Sequence, residues 1–173
     1  MAHMLDINRS NPHRYAMALA NNVLGGNGFA SRLMTDIRVK PGFAYTASSG
    51  LNIDRARSMF YVYYGSDPDK VAPADALVAS NIEALQRTPI KAAELDNARQ
   101  FEIRSIPLGV SSINAIARSL LSWSWHGEPL DQPMVAAKYY LNLTAGQVQA
   151  ACAKYLKPQN LVQVVQGPTP QKH

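Results

Sequence analysis

Apolar residues recur every three to four positions in the first part of the chain, and this spacing predicts a helix. The pair Asn11-Pro12 starts it, because asparagine caps an N-terminus and proline suits the first helical position. The apolar positions that follow lie on one helical face: Tyr15, Leu19 and Val23. Gly25-Gly26 ends this helix, since glycine readily adopts the left-handed conformation of a C-cap.

A second, shorter helix is expected over residues 29–38. Its buried side consists of Phe29, Leu33 and Ile37. The helix ends before Pro41-Gly42, which is a turn signal.

The pattern then changes to that of strands. Residues 43–51 and 58–64 are rich in aromatic and β-compatible side chains, and the loop 52–55 between them predicts an antiparallel hairpin. The second strand is apolar or aromatic at nearly every position. This composition predicts that it lies in the middle of the sheet with both faces covered.

Most of the remaining chain has helical spacing. Helices are expected over 67–85, 88–106, 111–123, 134–141 and 144–156, followed by a closing strand over 161–166. This order predicts an α+β fold with one antiparallel sheet and helices packed mainly on one face. Residues 1–10 are interpreted as a vector scar and leader, 11–167 as one domain and 168–173 as a tail.

The composition supports a folded domain with a modest positive charge. Hydrophobic residues make up 47% and charged residues 17% of the 173 positions, which excludes intrinsic disorder. The net charge is +5, and its excess lies before residue 65, where seven Lys and Arg residues face three Asp residues. No Lys/Arg run has the density of a nucleic-acid-binding tail, so binding to nucleic acid or another anionic surface is only an alternative.

The residues do not form a complete catalytic site by themselves. Cys152 is the only cysteine, and its place in an apolar helical pattern predicts a buried, inert thiol. The four histidines form no local metal motif, and His126, which lies two residues before Glu128 in a loop, is interpreted as a surface histidine. The glycines of residues 24–28 follow a helix instead of a strand, which argues against a phosphate-binding loop. No apolar run is long enough to span a membrane.

One stretch resembles a known family. The run L-G-G-x-x-x-x-S-R-L over 24–33, followed by I-R-x-x-x-G-x-A-Y over 37–45, is similar to the C-terminal half-domain of the insulinase/pitrilysin zinc peptidases, mitochondrial processing peptidase and its bacterial relatives in particular. The likeness extends from about Asn11 to Gly167. It implies an incomplete metallohydrolase half-domain, lacking at least one strand before Asn11.

In that family two homologous domains or subunits enclose a chamber. The resemblance implies that zinc and the general base belong to the other, zinc-bearing domain, with no cofactor in this chain. It also implies that Arg38 and Tyr45 contact the peptide substrate. A guanidinium can bind carbonyl oxygens through two N–H groups, and a phenol can donate to the oxyanion. Family members often have an acidic residue where this chain has Val39, and Pro41 is a further variation.

The leading interpretation is therefore the non-zinc C-terminal domain of a bacterial zinc metallopeptidase, inactive as an isolated chain. A catalytically inactive scaffold or assembly subunit of the same family is the alternative. We expect Arg32 to form a structural salt bridge and not to contact substrate. The missing strand predicts self-association through an exposed sheet edge. A soluble protein of the bacterial periplasm or cytoplasm is expected.

Overall fold

The computed structural model describes residues 1–167. Its sheet consists of β1 (Ala2–Leu5), β2 (Thr46–Asn52) and β3 (Ser58–Gly65), in the antiparallel order β1-β3-β2. The predicted hairpin is confirmed as β2 and β3, and β3 is the central strand as predicted. The α+β fold class predicted from the element order is also confirmed.

The first residues of the chain contribute the edge strand β1. The Met1 amino group donates to the Val62 carbonyl at 2.9 Å, and β1 continues this pairing along β3. Alternation along the strand places His3 and Leu5 in the interior. The folded domain therefore includes residues ahead of Asn11, which corrects the boundary expected there.

The helices cover only one face of the sheet. Phe60 and Val62 of β3 are buried, whereas Tyr61 and Tyr63, which alternate with them along the strand, are 40% and 62% exposed. The expectation that both faces of β3 are covered is therefore wrong. Tyrosine tolerates this position because its ring is apolar and its hydroxyl remains in water.

The first helix changes from an α-helix to a π-helix before it ends. Helix α1 (His13–Asn21) begins where the Asn11 side chain accepts a hydrogen bond from the His13 N–H at 2.9 Å, and it continues as a π-helical segment, Asn22–Gly26. The helix expected over 29–38 is a 3₁₀ turn, Gly28–Ala30, and then a second π-helical segment, Met34–Val39. Phe29 is 72% exposed, so its predicted burial is wrong.

The other helices match the expected ones to within a few residues. They are α2 (Val71–Arg87), α3 (Ala92–Ser105), α4 (Ile113–Trp125), α5 (Gln132–Asn142) and α6 (Ala145–Tyr155). Side-chain caps fix two of the starts, because Ser112 accepts from the Ala115 N–H and Thr144 accepts from the Gln147 N–H. Short 3₁₀ turns precede α2 and follow α3 and α6.

The core lies between the sheet and the layer formed by α1, α2 and α6. Its fully buried side chains include Leu19, Phe60, Val78, Ile82 and Val148. Cys152 is also fully buried, as predicted, and burial raises the pKa of its thiol to about 12. The thiol therefore remains protonated at neutral pH, which is typical of an inert cysteine.

The closing strand expected over 161–166 is reduced to one bridge. Val162 and Ala2 exchange backbone hydrogen bonds of 2.9 Å, and residues 163–166 run exposed beyond that point. The tail expected over 168–173 lies outside the described residues. Within 1–167, no helix has the length and apolar character needed to cross a membrane.

Candidate functional site

Gly25 sets the position of the first π-helical segment against the sheet. A Cβ at this residue would lie 2.9 Å from the Ser48 carbonyl carbon and closer still to the Ser49 backbone nitrogen. The segment can therefore approach β2 this closely only because residue 25 has no side chain. This contact explains one glycine of the L-G-G run.

Arg32 fixes the next part of the motif to helix α3. Its Nε and one terminal nitrogen each donate to a different carboxylate oxygen of Glu94, both at 2.7 Å. The hydrogen bond from Arg32 lowers the pKa of Glu94, and the bond to Glu94 raises the pKa of Arg32. Glu94 also accepts from the Lys91 backbone N–H at the start of α3. The expected structural role of Arg32 is confirmed.

Arg38 lies at the end of the second π-helical segment. Its neighbour Ile37 is fully buried and anchors the segment, whereas Arg38 itself is half-buried. The guanidinium lies over the Phe29 ring, 5.0 Å from the centroid, and a terminal nitrogen is 4.0 Å from the Met34 sulfur. The ring supports one face of the guanidinium, and this explains why a large aromatic residue is found at the surface.

The turn after Arg38 is fixed by two backbone hydrogen bonds. The Gly42 N–H donates to the Arg38 carbonyl at 3.1 Å, and the Phe43 N–H donates to the Ile37 carbonyl at 2.9 Å. Gly42 has φ +66°, a conformation that favours glycine. The path from Arg38 to the sheet is therefore defined by the backbone and not by the side chains.

Tyr45 lies immediately before β2, where the chain joins the sheet. Its N–H donates to the Gly65 carbonyl at 2.8 Å, which aligns it with the end of β3. The side chain is 68% exposed, and its hydroxyl donates to Asp67 Oδ1 at 2.8 Å. This hydrogen bond and the negative charge of Asp67 raise the pKa of Tyr45. Sequence reasoning placed Tyr45 early on the strand and missed Asp67.

The structure places Arg38 and Tyr45 at the two ends of one rigid turn. Both side chains reach solvent, and within residues 1–167 no hydrogen bond joins them. Each has its own support, Phe29 for the guanidinium and Asp67 for the phenol. The arrangement provides N–H donors at one end and one O–H donor at the other.

The loop with His126 and Glu128 is not a simple surface loop. The Glu128 carboxylate is 6% exposed and forms ion pairs with Arg9 and Arg14. His126 Nδ1 lies 2.6 Å from the Ser122 carbonyl oxygen, and its side chain is only 13% exposed. His126 is therefore less exposed than the predicted surface histidine, although Gly127 and Pro129 beside it are exposed, and the ion pairs of Glu128 join the loop to the N-terminal segment.

The described residues contain no set of donors suited to zinc. Among residues 1–167, no group of three or more His, Cys, Asp or Glu side chains could hold a metal ion together. Structural and catalytic zinc sites need at least three such protein ligands. The chain therefore does not fit a zinc site of its own in the part that the structure describes.

A sequence match identifies the protein family of this chain. Residues 4–101, more than half of the chain, match the family described as the peptidase M16 inactive domain. The chain belongs to this family. The match contains the whole turn from Arg38 to Tyr45, and it places the chain among the inactive C-terminal domains of zinc-protease-like proteins.

Curated relatives agree with this assignment. The chain is 29% identical over 101 residues to an uncharacterized zinc protease, YmxG, of Bacillus subtilis, which covers 58% of the chain and 24% of the relative. It is 30% identical over 109 residues to a non-peptidase homolog of Helicobacter pylori. This match covers 63% of the chain and 25% of the relative. The chain thus spans about a quarter of the length of these relatives.

Solved structures of M16-family proteins share the fold. The peptidase M16 inactive domain from Pseudomonas fluorescens superposes with a TM-score of 0.80 at 28% identity, covering 96% of this chain and 42% of that one. A protease from Helicobacter pylori gives the same TM-score at 18% identity and covers 92% of this chain and 38% of its own. The second likeness concerns the fold alone.

Proposed function

We propose that this M16-family chain is the substrate-contacting C-terminal domain of a zinc-dependent peptidase. It completes a closed chamber opposite a zinc-bearing N-terminal domain or a homologous subunit. The observation that carries the proposal is the rigid turn that holds Arg38 and Tyr45 at its two ends with both side chains open to solvent.

Arg38 binds the peptide backbone in this proposal. Its guanidinium carbon lies 5.0 Å from the centroid of the Phe29 ring, and we propose that this contact leaves N–H groups free to reach the peptide. A guanidinium donates two parallel hydrogen bonds, which suits the carbonyl oxygens of an extended peptide. Arg38 thereby fixes the position of the peptide without discriminating between its side chains.

Tyr45 stabilises the oxyanion that forms when the peptide carbonyl is attacked. A tyrosine has one O–H, and in this structure that proton is donated to Asp67. The oxyanion must therefore replace the Asp67 carboxylate as acceptor when substrate binds. Removing one donor of this kind typically lowers the rate by about 10²–10³.

The metal and the general base are assigned to the partner domain. The donor set of residues 1–167 does not fit zinc, so this chain contributes binding and orientation only. We expect the isolated chain to cleave no peptide. Peptidase activity that persists in the isolated chain after metal removal would contradict this assignment.

Peptide binding to the isolated chain tests the proposed contact between Arg38 and the peptide. We suggest titrating it with a blocked, uncharged, extended peptide and following backbone amide shifts by NMR. We expect shifts around the turn from Arg38 to Tyr45 that disappear in Arg38→Ala. Lys40→Ala is the matched control, because Lys40 is a nearby cation that is already paired with Asp36. Shifts confined to other surfaces would contradict the proposed contact.

A catalytically inactive scaffold subunit is the second candidate. The relative from Helicobacter pylori is described as a non-peptidase homolog, so inactive proteins occur among the relatives of this chain. The discriminating observation is an H-x-x-E-H motif in the upstream part of the same protein or in a neighbouring gene. Its absence from both favours the scaffold.

Binding to nucleic acid has less support. Four of the seven N-terminal cations that suggested it form ion pairs: Arg9 and Arg14 with Glu128, Arg32 with Glu94, and Lys40 with Asp36. Phosphate binding needs cations whose charge is free to replace counterions. This charge distribution favours a structural role for most of the N-terminal basic residues.

A further inference from the structure

Helix α4 presents a large apolar surface with few charges. It buries none of its side chains, and Arg118 is the only Lys, Arg, Asp or Glu between residues 105 and 127. The exposed apolar side chains of α4 and of the preceding 3₁₀ turn are Leu108, Val110, Ile113, Ile116, Leu120, Leu121 and Trp125. Monomeric proteins rarely expose contiguous apolar patches larger than a few hundred Å².

The most exposed side chains of α4 form one row. Ile113, Ala117, Leu121 and Trp125 are spaced four residues apart, so they lie in line along the helix surface. The three large ones are 85%, 72% and 71% exposed. We call these four residues the α4 ridge. Such a ridge is the unit that packs into the grooves of another helix.

Trp125 at one end of the ridge is held in place. One Arg55 terminal nitrogen donates to the Trp125 carbonyl at 3.1 Å, and the Arg55 guanidinium lies 5.7 Å from the centroid of the Trp125 ring. A tryptophan side chain has two torsion angles, so it loses little conformational freedom on binding. This is the usual character of an interface anchor.

We propose that the α4 ridge binds the α4 ridge of a second copy of this chain, antiparallel and about a two-fold axis. In this pairing Ile113 faces Trp125 of the other copy, and Ala117 faces Leu121. The small alanine leaves room for the leucine, so the ridge is complementary to itself. A two-fold interface requires such self-complementarity, because each contact occurs twice.

The size of the surface agrees with this occupant. Seven large apolar side chains with one tryptophan provide roughly the 800 Å² per partner of a standard interface. The surface carries no carboxylate, so it offers nothing to a basic partner. The two Arg118 side chains lie near the two-fold axis and repel each other. Added salt should therefore strengthen the dimer by screening this repulsion.

Sedimentation velocity over a range of concentrations tests the proposal. We expect the wild-type chain to reach a dimer, and Ala117→Glu and Leu121→Lys each to remain monomeric. An equimolar mixture of the two variants should again dimerise, because the introduced carboxylate then faces the introduced ammonium across the axis. The substituted positions are exposed, so the variants should retain the wild-type circular dichroism spectrum.

Leu141→Lys is the matched control, since Leu141 is a 61% exposed leucine of α5 outside the ridge. It should dimerise like the wild type. A wild-type chain that remains monomeric overturns the proposal. Association that persists in both single variants overturns it as well and favours pairing through the sheet edge. A mixture that stays monomeric contradicts the antiparallel register.

Discussion

Gly25 shows how the absence of one side chain positions the site. The first π-helical segment lies directly on the backbone of β2 at Ser48 and Ser49, where no Cβ can fit. The backbone of the strand cannot move aside as a flexible side chain could. A substitution here must therefore shift the segment itself and, with it, the turn that carries Arg38.

We predict that Gly25→Ala lowers the free energy of unfolding by about 1–3 kcal/mol, because inserting a methyl group into a packed contact causes strain of this size. Gly146→Ala is the control. Gly146 lies in α6 with no atom within 4 Å of an added Cβ, and alanine is the better helix former. Urea denaturation should show loss of stability only for Gly25→Ala. Equal stability of both variants would contradict the contact.

The pair Tyr45–Asp67 gives a prediction for one ionisation. The carboxylate accepts the proton of the neutral phenol and opposes formation of the phenolate, so it raises the pKa of Tyr45. Asp67→Asn keeps an acceptor but removes the charge, and the pKa of Tyr45 should therefore fall towards its ordinary value of about 10. Carbon-13 NMR of labelled tyrosine, assigned with Tyr45→Phe, measures this pKa. An unchanged pKa in Asp67→Asn would show that the hydroxyl has another partner in solution.

Residues close in sequence were easier to place than residues that meet through the fold. Arg38 and Tyr45 are seven positions apart, and their motif identified both from the sequence. Asp67 is 22 positions beyond Tyr45, and only the end of β3 brings the two together. Phe29 was expected in the core because apolar spacing does not reveal that an arginine will cover a ring at the surface.

At the scale of elements, local signals predicted the ends of helices well. Thr144 and Gln147 form a capping box that starts α6, and its residues were recognisable in the sequence. The two π-helical segments were not predictable, because the extra residue in each turn depends on packing against β2 and α2. The strand expected over 161–166 failed for a related reason. Its composition suits a strand, but within residues 161–167 the pairing is limited to one bridge, between Val162 and Ala2.

The loop between α4 and α5 depends on the buried carboxylate of Glu128. Its ion pairs with Arg9 and Arg14 join this loop to the segment before α1. Glu128→Ala leaves two partly buried guanidinium groups without their carboxylate, and we predict a loss of roughly 2–4 kcal/mol in unfolding free energy. Asp69→Ala is the control, because its pair with Lys70 is exposed and should contribute almost nothing. Similar losses for both variants in thermal or urea unfolding would contradict the anchoring role.

At the scale of the whole molecule, the domain has a covered and an uncovered side. Helices pack on one face of the sheet, and Tyr61 and Tyr63 project from the other. The fold agrees with the M16 inactive domain from Pseudomonas fluorescens over 96% of this chain. The matched part of the chain covers about a quarter of the length of these curated relatives, so we propose that the site works together with parts of a longer protein.

The sequence motif and the structure give different information about Arg38 and Tyr45. The motif is the basis for proposing Arg38 and Tyr45 as substrate contacts, and the structure shows what surrounds them: Phe29, the hydrogen bonds of the turn and Asp67. The α4 ridge could be recognised as amphipathic from its spacing. Its exposure could not, because the same spacing is typical of a helix that packs on its own core.

Turnover of one peptide by the full protein, with its zinc-bearing partner domain present, tests the central claim most directly. We predict that Tyr45→Phe lowers kcat by about 10²–10³ with little change in KM, since in this proposal its hydroxyl leaves Asp67 and bonds to the substrate only when the oxyanion forms. Arg38→Ala should lower kcat/KM mainly by raising KM, and Tyr63→Phe, another exposed tyrosine, should behave as wild type. Unchanged kinetics in both Tyr45→Phe and Arg38→Ala would contradict the claim and leave these residues with a structural role alone.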